Sequence, residues 1–272
     1  MGLARRRSGR RRFRLSVAAG GPALSVDAVY SLRNVTKTYG AGGVEFRLDI
    51  SELDVPRGAK LALVGESGAG KSTLLELLAM ILKPSEAERF LFRPLADGDE
   101  LDVDAAWHMD ASDRLSVWRS RHIGYVLQHG GLLPYLTVRR NIELSRRLLG
   151  LSLGNVAEEL AARLGIEQQL DKLPAALSVG QRQRAAIARA LAHDPPIVIA
   201  DEPTAAVDPL NAQRITRLLA RLADERNVTL IVASHAHELV RNAGFTLVTH
   251  EIEHVDDVSM SVRVSSRAKA AA

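Results

Sequence analysis

The chain has 272 residues, of which 46% are hydrophobic and 25% are charged, a composition typical of a globular protein with a sizeable core. It contains no cysteine, which excludes a disulfide framework, a thiolate metal site and a cysteine nucleophile. The formal net charge is +4, but seven arginines lie between Arg5 and Arg14, and removing their charge leaves −3 for the rest. This mildly acidic remainder argues against a nucleic-acid-binding domain.

The first 25 residues differ in composition from the rest of the chain. Arginines are followed by a stretch rich in alanine, glycine and proline, so residues 1–25 are predicted to form a disordered extension. The apolar segment Leu15–Ala19 is too short for a secretory signal, and contact with anionic lipid or RNA stays open. No apolar run approaches the roughly 20 residues that span a bilayer, so action at a membrane would need a partner.

From about Val26, apolar runs predict a series of strands. These strands are predicted around Val29, Leu32 and Val35, around Phe46, Leu48 and Ile50, and over Leu61–Val64, Ile123–Leu127, Ile197–Ala200 and Thr229–Ala233.

Helices are predicted between the strands, from Lys71 to about Leu82, over Asn155–Leu164 and over Gln183–Leu191. A further helix is indicated by apolar residues at helical spacing, namely Ile215, Leu218, Leu219 and Leu222. Asp208 is predicted to cap this helix, with Pro209 in its first turn.

The alternation of strands and helices predicts an α/β fold with a mostly parallel sheet covered by helices on both faces. Residues 84–122 carry many charges and are predicted to be an irregular insertion. The helical stretch between the two halves of the sheet predicts an inserted helical subdomain at about 84–180. The chain is thereby divided into the extension 1–25, a main domain over 26–255, and a C-terminal strand and tail over 256–272.

A phosphate-binding loop is predicted directly after the strand Leu61–Val64. The sequence fits G-x-x-x-x-G-K-[ST] and continues with a threonine, in the order Gly65, Glu66, Ser67, Gly68, Ala69, Gly70, Lys71, Ser72 and Thr73. A buried strand before the motif and a helix after it are the required context. Backbone N–H groups would hold the phosphates, Lys71 would reach the β- and γ-phosphates, and Ser72 would bind Mg²⁺.

Two carboxylates follow the strand Ile197–Ala200. In a chain that also carries a phosphate loop, Asp201 is predicted to hold Mg²⁺ and Glu202 to orient and polarise the attacking water.

The segment Leu177-Ser178-Val179-Gly180-Gln181 resembles the L-S-G-G-Q signature of the ABC (ATP-binding cassette) ATPases, and it precedes Asp201-Glu202 by a short interval typical of that family. Further residues match the family's other motifs in order: Tyr39 before the phosphate loop, Gln128 between the two nucleotide motifs, Ala205 to Asp208 after the glutamate, and His235 after a strand. The resemblance covers roughly residues 29–250.

The resemblance implies a P-loop ABC cassette with an antiparallel β edge, which binds ATP and Mg²⁺. It implies that Tyr39 stacks on adenine, that Gln128 senses the γ-phosphate and contributes to the metal site, and that His235 acts with Glu202 and Lys71 in catalysis. Two cassettes would bury two ATP molecules head to tail, because the outer face of each γ-phosphate lacks donors in one copy. Ser178, Gly180, Gln181 and Asp208 are the family's contributors to that shared interface.

The resemblance also implies partners: a second cassette, giving a homodimer, and a membrane permease on a separate chain that holds the cassette at the cytoplasmic side of the inner membrane. No nucleic-acid partner is expected. The segment Trp118–Gln128 looks like the R-x-R-x-I-G-[FY]-V-x-Q lead-in of the macrolide-export and lipoprotein-release group. Three alternatives stay open: a cell-division type that transmits force to a cell-envelope enzyme, an importer, and an ATPase that binds nucleic acid through the arginine extension.

Val179 departs from the signature, because it stands where the family has its first glycine. Valine costs little if this position is helical or extended, and it is strained if the position needs a positive φ. Activity is expected because Ser178 and Gly180 are intact.

Overall fold

The computed structural model describes residues 15–16, 27–41, 44–66, 68–256 and 259–265. Its strands in chain order are β1 (Leu15–Ser16), β2 (Ala28–Ala41), β3 (Val44–Pro56), β4 (Lys60–Val64), β5 (Arg89–Phe92), β6 (Leu101–Asp102), β7 (Ile123–Val126), β8 (Ile197–Asp201), β9 (Thr229–Ser234), β10 (Thr246–Asp256) and β11 (Ser259–Ser265).

The helices alternate with these strands from the middle of the chain onward. They are α1 (Lys71–Leu78), α2 (Val103–His108), α3 (Ser112–His122), α4 (Val138–Leu148), α5 (Val156–Leu164), α6 (Val179–Leu191), α7 (Pro209–Arg226) and α8 (His237–Asn242). Among the described residues, no helix is long and apolar enough to cross a lipid bilayer.

One continuous sheet organises the described residues, with strand order β6-β5-β2-β3-β11-β10-β4-β9-β8-β7, and with β1 beside β3. The neighbours from β10 to β7 are parallel, whereas β6, β5, β2 and β3 pair antiparallel. The predicted α/β fold, with its parallel core and antiparallel edge, is confirmed.

The parallel strands are apolar on both faces because helices cover both sides. On β4, Leu61 and Leu63 belong to one buried cluster, which also contains residues of α1. Ala62 and Val64 point the other way, into a second cluster built with α5, α6 and α7. Burial on both faces fixes the strand in the centre of the sheet, and its carboxyl end is therefore held firmly.

The prediction of an irregular insertion at 84–122 is wrong. β5 pairs antiparallel with β2, β6 pairs with β5, and α2 and α3 follow. Phe90 and Phe92 are buried on one face of β5, whereas Arg89 and Leu91 are only partly buried. The many charged residues of this segment lie mostly on exposed positions of α2, α3 and their loops. Because they dominate the sequence pattern, the short alternation of apolar residues in β5 could not be recognised.

Two helix boundaries also differ from the predictions. α1 ends at Leu78 instead of Leu82, because Met80 adopts a left-handed conformation with φ of 55°. α6 begins at Val179, earlier than the predicted Gln183, because Ser178 caps it.

Most of the predicted extension 1–25 lies outside the described residues; Leu15–Ser16 within it pairs in parallel with β3. At the other end, β11 supplies the strand expected within 256–272, and its neighbours 257–258 and 266–272 lie outside the described residues. The extent of the helical subdomain stays a prediction; α4, α5 and the start of α6 lie between β7 and β8 in the chain.

Candidate functional site

The carboxyl ends of four parallel strands bring many of the predicted site residues to one edge of the sheet. Val64 of β4 lies opposite Ser234 of β9, and Asp201 of β8 lies opposite Ala233. Because β7 pairs with β8 in the same direction, the loop after Val126 reaches this edge as well. Ligands of open α/β sheets bind at such an edge.

The phosphate loop turns sharply before α1, and glycine makes the turn possible. Gly68 and Gly70 have φ of 81° and 73°, a region that L side chains rarely adopt. A Cβ on Gly70 would also lie 3.5 Å from Cζ of Phe46. No side chain caps the first N–H groups of α1, so these donors and the positive end of the helix suit an anion. Ser67 lies outside the described residues.

Lys71, the first residue of α1, is buried with 6% of its surface exposed. Its Nζ donates to the carbonyl oxygens of Gly65 at 3.0 Å and Glu66 at 2.7 Å, and it lies 3.8 Å from Oε1 of Glu202. Burial lowers the pKa of Lys71, whereas Glu202 and Asp201 oppose that shift. The ammonium group is therefore a poorly hydrated cation at the mouth of the loop.

Glu202 lies at the centre of a cluster, called the hub below, that also contains Lys71, Gln128 and His235. Its Oε1 lies 2.6 Å from Nε2 of His235, and its Oε2 accepts a hydrogen bond of 3.1 Å from the side-chain amide of Gln128. The backbone of Glu202 is left-handed, with φ of 44°, and its N–H donates to the carbonyl of Ala233 at 3.1 Å. Such a conformation costs a non-glycine residue energy and is often found at functional sites. Nothing in the sequence pattern indicates it.

Asp201 and Ser72 form a separate oxygen-rich pair beside this hub. The Ser72 side chain lies beside the carboxylate, whose Oδ1 is buried and has no hydrogen-bond partner. Burial raises the pKa of Asp201, and Glu202 adds to the rise, whereas Ser72, Lys71 and His235 oppose it. A carboxylate and a hydroxyl fit a hard cation such as Mg²⁺, which binds through one or two protein oxygens, waters and phosphates. The described residues contain no cluster of three or more acidic or histidine ligands, so phosphates would have to complete such a site.

A cleft of about 270 Å³ joins these groups, and it is lined by Phe46, Gly68, Ala69, Gly70, Lys71, Ser72, Thr73, Gln128 and Glu202. Tyr39 lies beside it, with its ring centroid 5.9 Å from that of Phe46 and Nζ of Lys37 at 5.1 Å over the ring. Phe46 was not predicted as a site residue, because the alternation of Phe46, Leu48 and Ile50 with polar residues indicated only a strand.

The signature segment begins α6 and does not line this cleft in the described part of the chain. Ser178 is the N-cap, and its side chain and that of Gln181 form a reciprocal capping box. Val179 is the first helical residue and has no positive φ, so its replacement of glycine is not strained. Asp208 caps α7 by accepting from the backbone N–H of Asn211 at 3.0 Å.

The site residues thus divide into two groups. One edge of the sheet unites the phosphate loop, Asp201, Glu202, His235 and Gln128, and Tyr39 flanks it. Ser178, Gly180, Gln181 and Asp208 form a second group, in which a Cβ on Gly180 would lie 4.0 Å from the side chain of Val207. The roles given to all these residues stay predictions.

We expect Asp201→Asn to raise the melting temperature of the nucleotide-free protein by about 2 °C at neutral pH, a small shift for a chain of this size. A carboxyl whose folded pKa is raised costs stability above that pKa, and the cost disappears as the pH falls below the unfolded value. Partial exposure of Asp201 keeps the effect small. Calorimetry at pH 7 and near pH 4 checks this: the gain should shrink at the lower pH, and a destabilised variant at pH 7 would contradict it.

Comparison with known proteins gives a consistent family relationship. The sequence profile described as ABC transporter matches residues 48–205, more than half of the chain. The lipoprotein-releasing system ATP-binding protein LolD of Idiomarina loihiensis is 35% identical over 218 residues, which cover 78% of this chain and 90% of that protein. The methionine import ATP-binding protein MetN of Mannheimia succiniciproducens is 34% identical over 215 residues, but the match spans only 59% of its length.

The fold is shared with solved structures as well. A dimeric, post-hydrolysis structure of the ATP-binding cassette MJ0796 bound to ADP and Pi superposes with a TM-score of 0.69 at 32% identity. The match covers 85% of this chain and 95% of that chain.

Proposed function

Because the chain belongs to the ABC transporter family and is an ATPase of that family, we propose that it is the motor of an exporting or lipoprotein-releasing transporter. The permease would lie on a separate chain and hold the motor at the cytoplasmic face of the membrane. The observation that carries the ATP-hydrolysing part of this proposal is the meeting of Lys71, Glu202, His235 and Gln128 at one edge of the sheet, with the signature segment elsewhere.

The proposed chemistry assigns one task to each group of the hub. Lys71 leaves its two loop carbonyls to bind the β- and γ-phosphates. Oε1 or Oε2 of Glu202 accepts a hydrogen bond from the attacking water and takes its proton as the oxygen bonds to the γ-phosphorus. The bond from that phosphorus to the β–γ bridging oxygen breaks, so ADP and phosphate are the products. His235 and Gln128 hold the two carboxylate oxygens, so the carboxylate cannot rotate away from the water. Asp201 and Ser72 would hold Mg²⁺, which would neutralise phosphate charge.

A second copy of the chain would complete each site. Lys71, Gln128 and His235 supply donors from one copy, whereas Ser178, at the exposed start of α6, presents a hydroxyl and a helix N-terminus to another molecule. In a head-to-tail homodimer, this helix end would bind the outer face of the γ-phosphate held by its partner. The dimeric structure of MJ0796, a relative of 32% identity, supports a dimer for this chain.

The export or release subtype is supported by the segment before Gln128 and by the similarity to LolD. The similarity to MetN keeps an importer as a second candidate. The co-purifying membrane protein would separate these two from a cell-division type: a partner with few spans and no substrate cavity would favour the last.

A groove beside the Gln128 loop (residues 127–132) is the proposed docking site for the permease. It has a volume of about 240 Å³ and a mostly apolar lining: Ser120, Ile123, Gly124, Tyr125, Leu144, Ser145, Leu148, Leu149, Arg189, Ala190 and His193. Leu148 at its rim is 78% exposed, which suits an apolar contact with a partner helix.

We expect Leu148→Glu to abolish co-purification with the permease from detergent-solubilised membranes, because a charge would be buried in an apolar interface. ATP hydrolysis by the isolated chain should be unchanged, since Leu148 does not line the nucleotide cleft. Leu151→Glu is the matched control, because Leu151 is 42% exposed but lies outside the groove. Retained co-purification of the Leu148→Glu chain would contradict docking at this groove.

A further inference from the structure

Arg189, in the last turn of α6, ties that helix to the Gln128 loop. Its Nη1 donates to the carbonyl of Gly131 at 2.7 Å and its Nη2 to the carbonyl of Gly130 at 2.9 Å. Arg189 is partly buried, and burial lowers the pKa of its guanidinium, although an arginine remains charged at neutral pH. Charge-assisted bonds of this kind in a desolvated position are stronger than neutral ones.

The loop is shaped to present these two carbonyls. Gly130 and Gly131 are consecutive left-handed residues, with φ of 75° and 60°. A Cβ on Gly131 would lie 2.5 Å from Cδ1 of Leu127, so another residue at this left-handed position would be strained and would require the Leu127 side chain to move. A Cβ on Gly130 would lie 3.5 Å from the Cβ of Ala186, so the loop rests directly on α6.

A second buried polar group lies at the same contact. Gln183 of α6 is 5% exposed, and its Oε1 would lie 3.8 Å from a Cβ on Gly130. Its Nε2 is buried without a hydrogen-bond partner. An unpaired buried amide costs free energy, and a small shift of the loop carbonyls towards it would relieve that cost. The contact between loop and helix therefore has room for a second arrangement.

The helix connects this contact to the signature segment. Ser178 caps the start of α6, and Arg189 lies 11 residues further on, about 16 Å along the axis at 1.5 Å per residue. Arg189 contacts the Gln128 loop, and the side-chain amide of Gln128 in that loop donates a hydrogen bond to Glu202. One rigid helix therefore joins the surface offered to a second copy to the catalytic hub of its own copy.

We propose that Arg189 is a positioning residue that couples the two ATP sites of the dimer. When Ser178 closes on the ATP of the partner, α6 shifts, and Arg189 carries the Gln128 loop with it. Gln128 then changes its hold on Glu202, so occupancy of one site alters turnover at the other. The inference rests on the proposed head-to-tail dimer, and such coupling is reciprocal between the two sites.

The test is the Hill coefficient of ATP hydrolysis by the purified full chain, with dimer formation followed separately by light scattering. The native chain is expected to show a coefficient above 1 and at most about 2, the limit for two sites. Arg189→Gln should lower the coefficient while the ATP-dependent dimer still forms, although ATP-driven pairing of two copies keeps it above 1. Gly131→Ala should do the same from the loop side, and it provides the test if Arg189→Gln does not fold.

Arg146→Gln is the matched control. Arg146 also donates to a backbone carbonyl at the end of α6, that of Ala192 at 2.9 Å, but it does not touch the Gln128 loop. Its variant should keep the native Hill coefficient. An unchanged Hill coefficient in both Arg189→Gln and Gly131→Ala would overturn the inference about Arg189. The proposed head-to-tail dimer would not be contradicted by that result. A native chain that forms no dimer with ATP and shows a coefficient of 1 would overturn both.

Discussion

Glu202→Gln is expected to lower phosphate release by at least about 100-fold, the usual contribution of a general base, while ATP binding is retained. The amide is nearly isosteric and can still face His235 and Gln128, which lie 2.6 and 3.1 Å from the carboxylate oxygens. It cannot accept the proton of the attacking water. Phosphate release and binding of labelled ATP, measured on the same preparation, separate the two effects.

The same variant should also trap the ATP-bound dimer. Because ATP would persist between two copies, light scattering should report twice the monomer mass with ATP and a monomer without it. Glu238→Gln is the control, since Glu238 is exposed on α8 and pairs with Arg241 of the same helix. Near-native turnover of Glu202→Gln would remove Glu202 from the catalytic role.

Lys71→Ala is expected to abolish ATP binding and hydrolysis together. A bound ligand at 100 times its dissociation constant stabilises a protein by about 2.7 kcal/mol, so the rise in melting temperature that ATP gives the native chain should disappear. The nucleotide-free variant should melt at the native temperature or above it. Burial lowers the pKa of Lys71, and a lysine shifted in this direction costs stability at neutral pH while it is charged.

This pair of melting curves separates loss of binding from loss of fold. Lys60→Ala is a suitable control, because Lys60 begins the same strand that leads to the phosphate loop but pairs with Asp224 at the opposite end of the sheet. A Lys71→Ala chain that still gains stability from ATP would contradict the assignment of the phosphate loop.

The parts of the site that could be predicted from sequence are those coded by contiguous residues. The phosphate loop and the Asp201-Glu202 pair each follow an apolar strand directly, so local patterning places them at one sheet edge. The capping of α7 by Asp208 was likewise predictable and is confirmed. The left-handed backbone of Glu202 was not, because it depends on β9, whose Ala233 accepts the Glu202 N–H.

Other features depended on contacts between distant segments. Phe46 reaches the cleft only because β3 passes beside the phosphate loop. The bond between Arg189 and Gly131 joins residues separated by 58 positions, and no periodicity reports such a contact. β5 was missed because a strand of four residues within a charged segment gives too short an alternation to stand out. Conversely, the sequence left two outcomes open for Val179, a strained or an unstrained backbone. Its helical backbone is unstrained.

The most direct test of the central claim, that one copy completes the site of another, is to mix two inactive chains. A Ser178→Ala chain keeps its own catalytic residues but has a defective signature segment. A Glu202→Gln chain has an intact signature segment but lacks the catalytic carboxylate. In a mixed dimer, the hub of the first faces the signature of the second, which restores one site. If equal amounts of the two chains are mixed as monomers before ATP is added, random pairing makes half the dimers mixed. Each mixed dimer has one working site of two, so phosphate release should recover to about a quarter of the native value. If the mixture stays as inactive as its components while mixed dimers are shown to form, the head-to-tail account is contradicted.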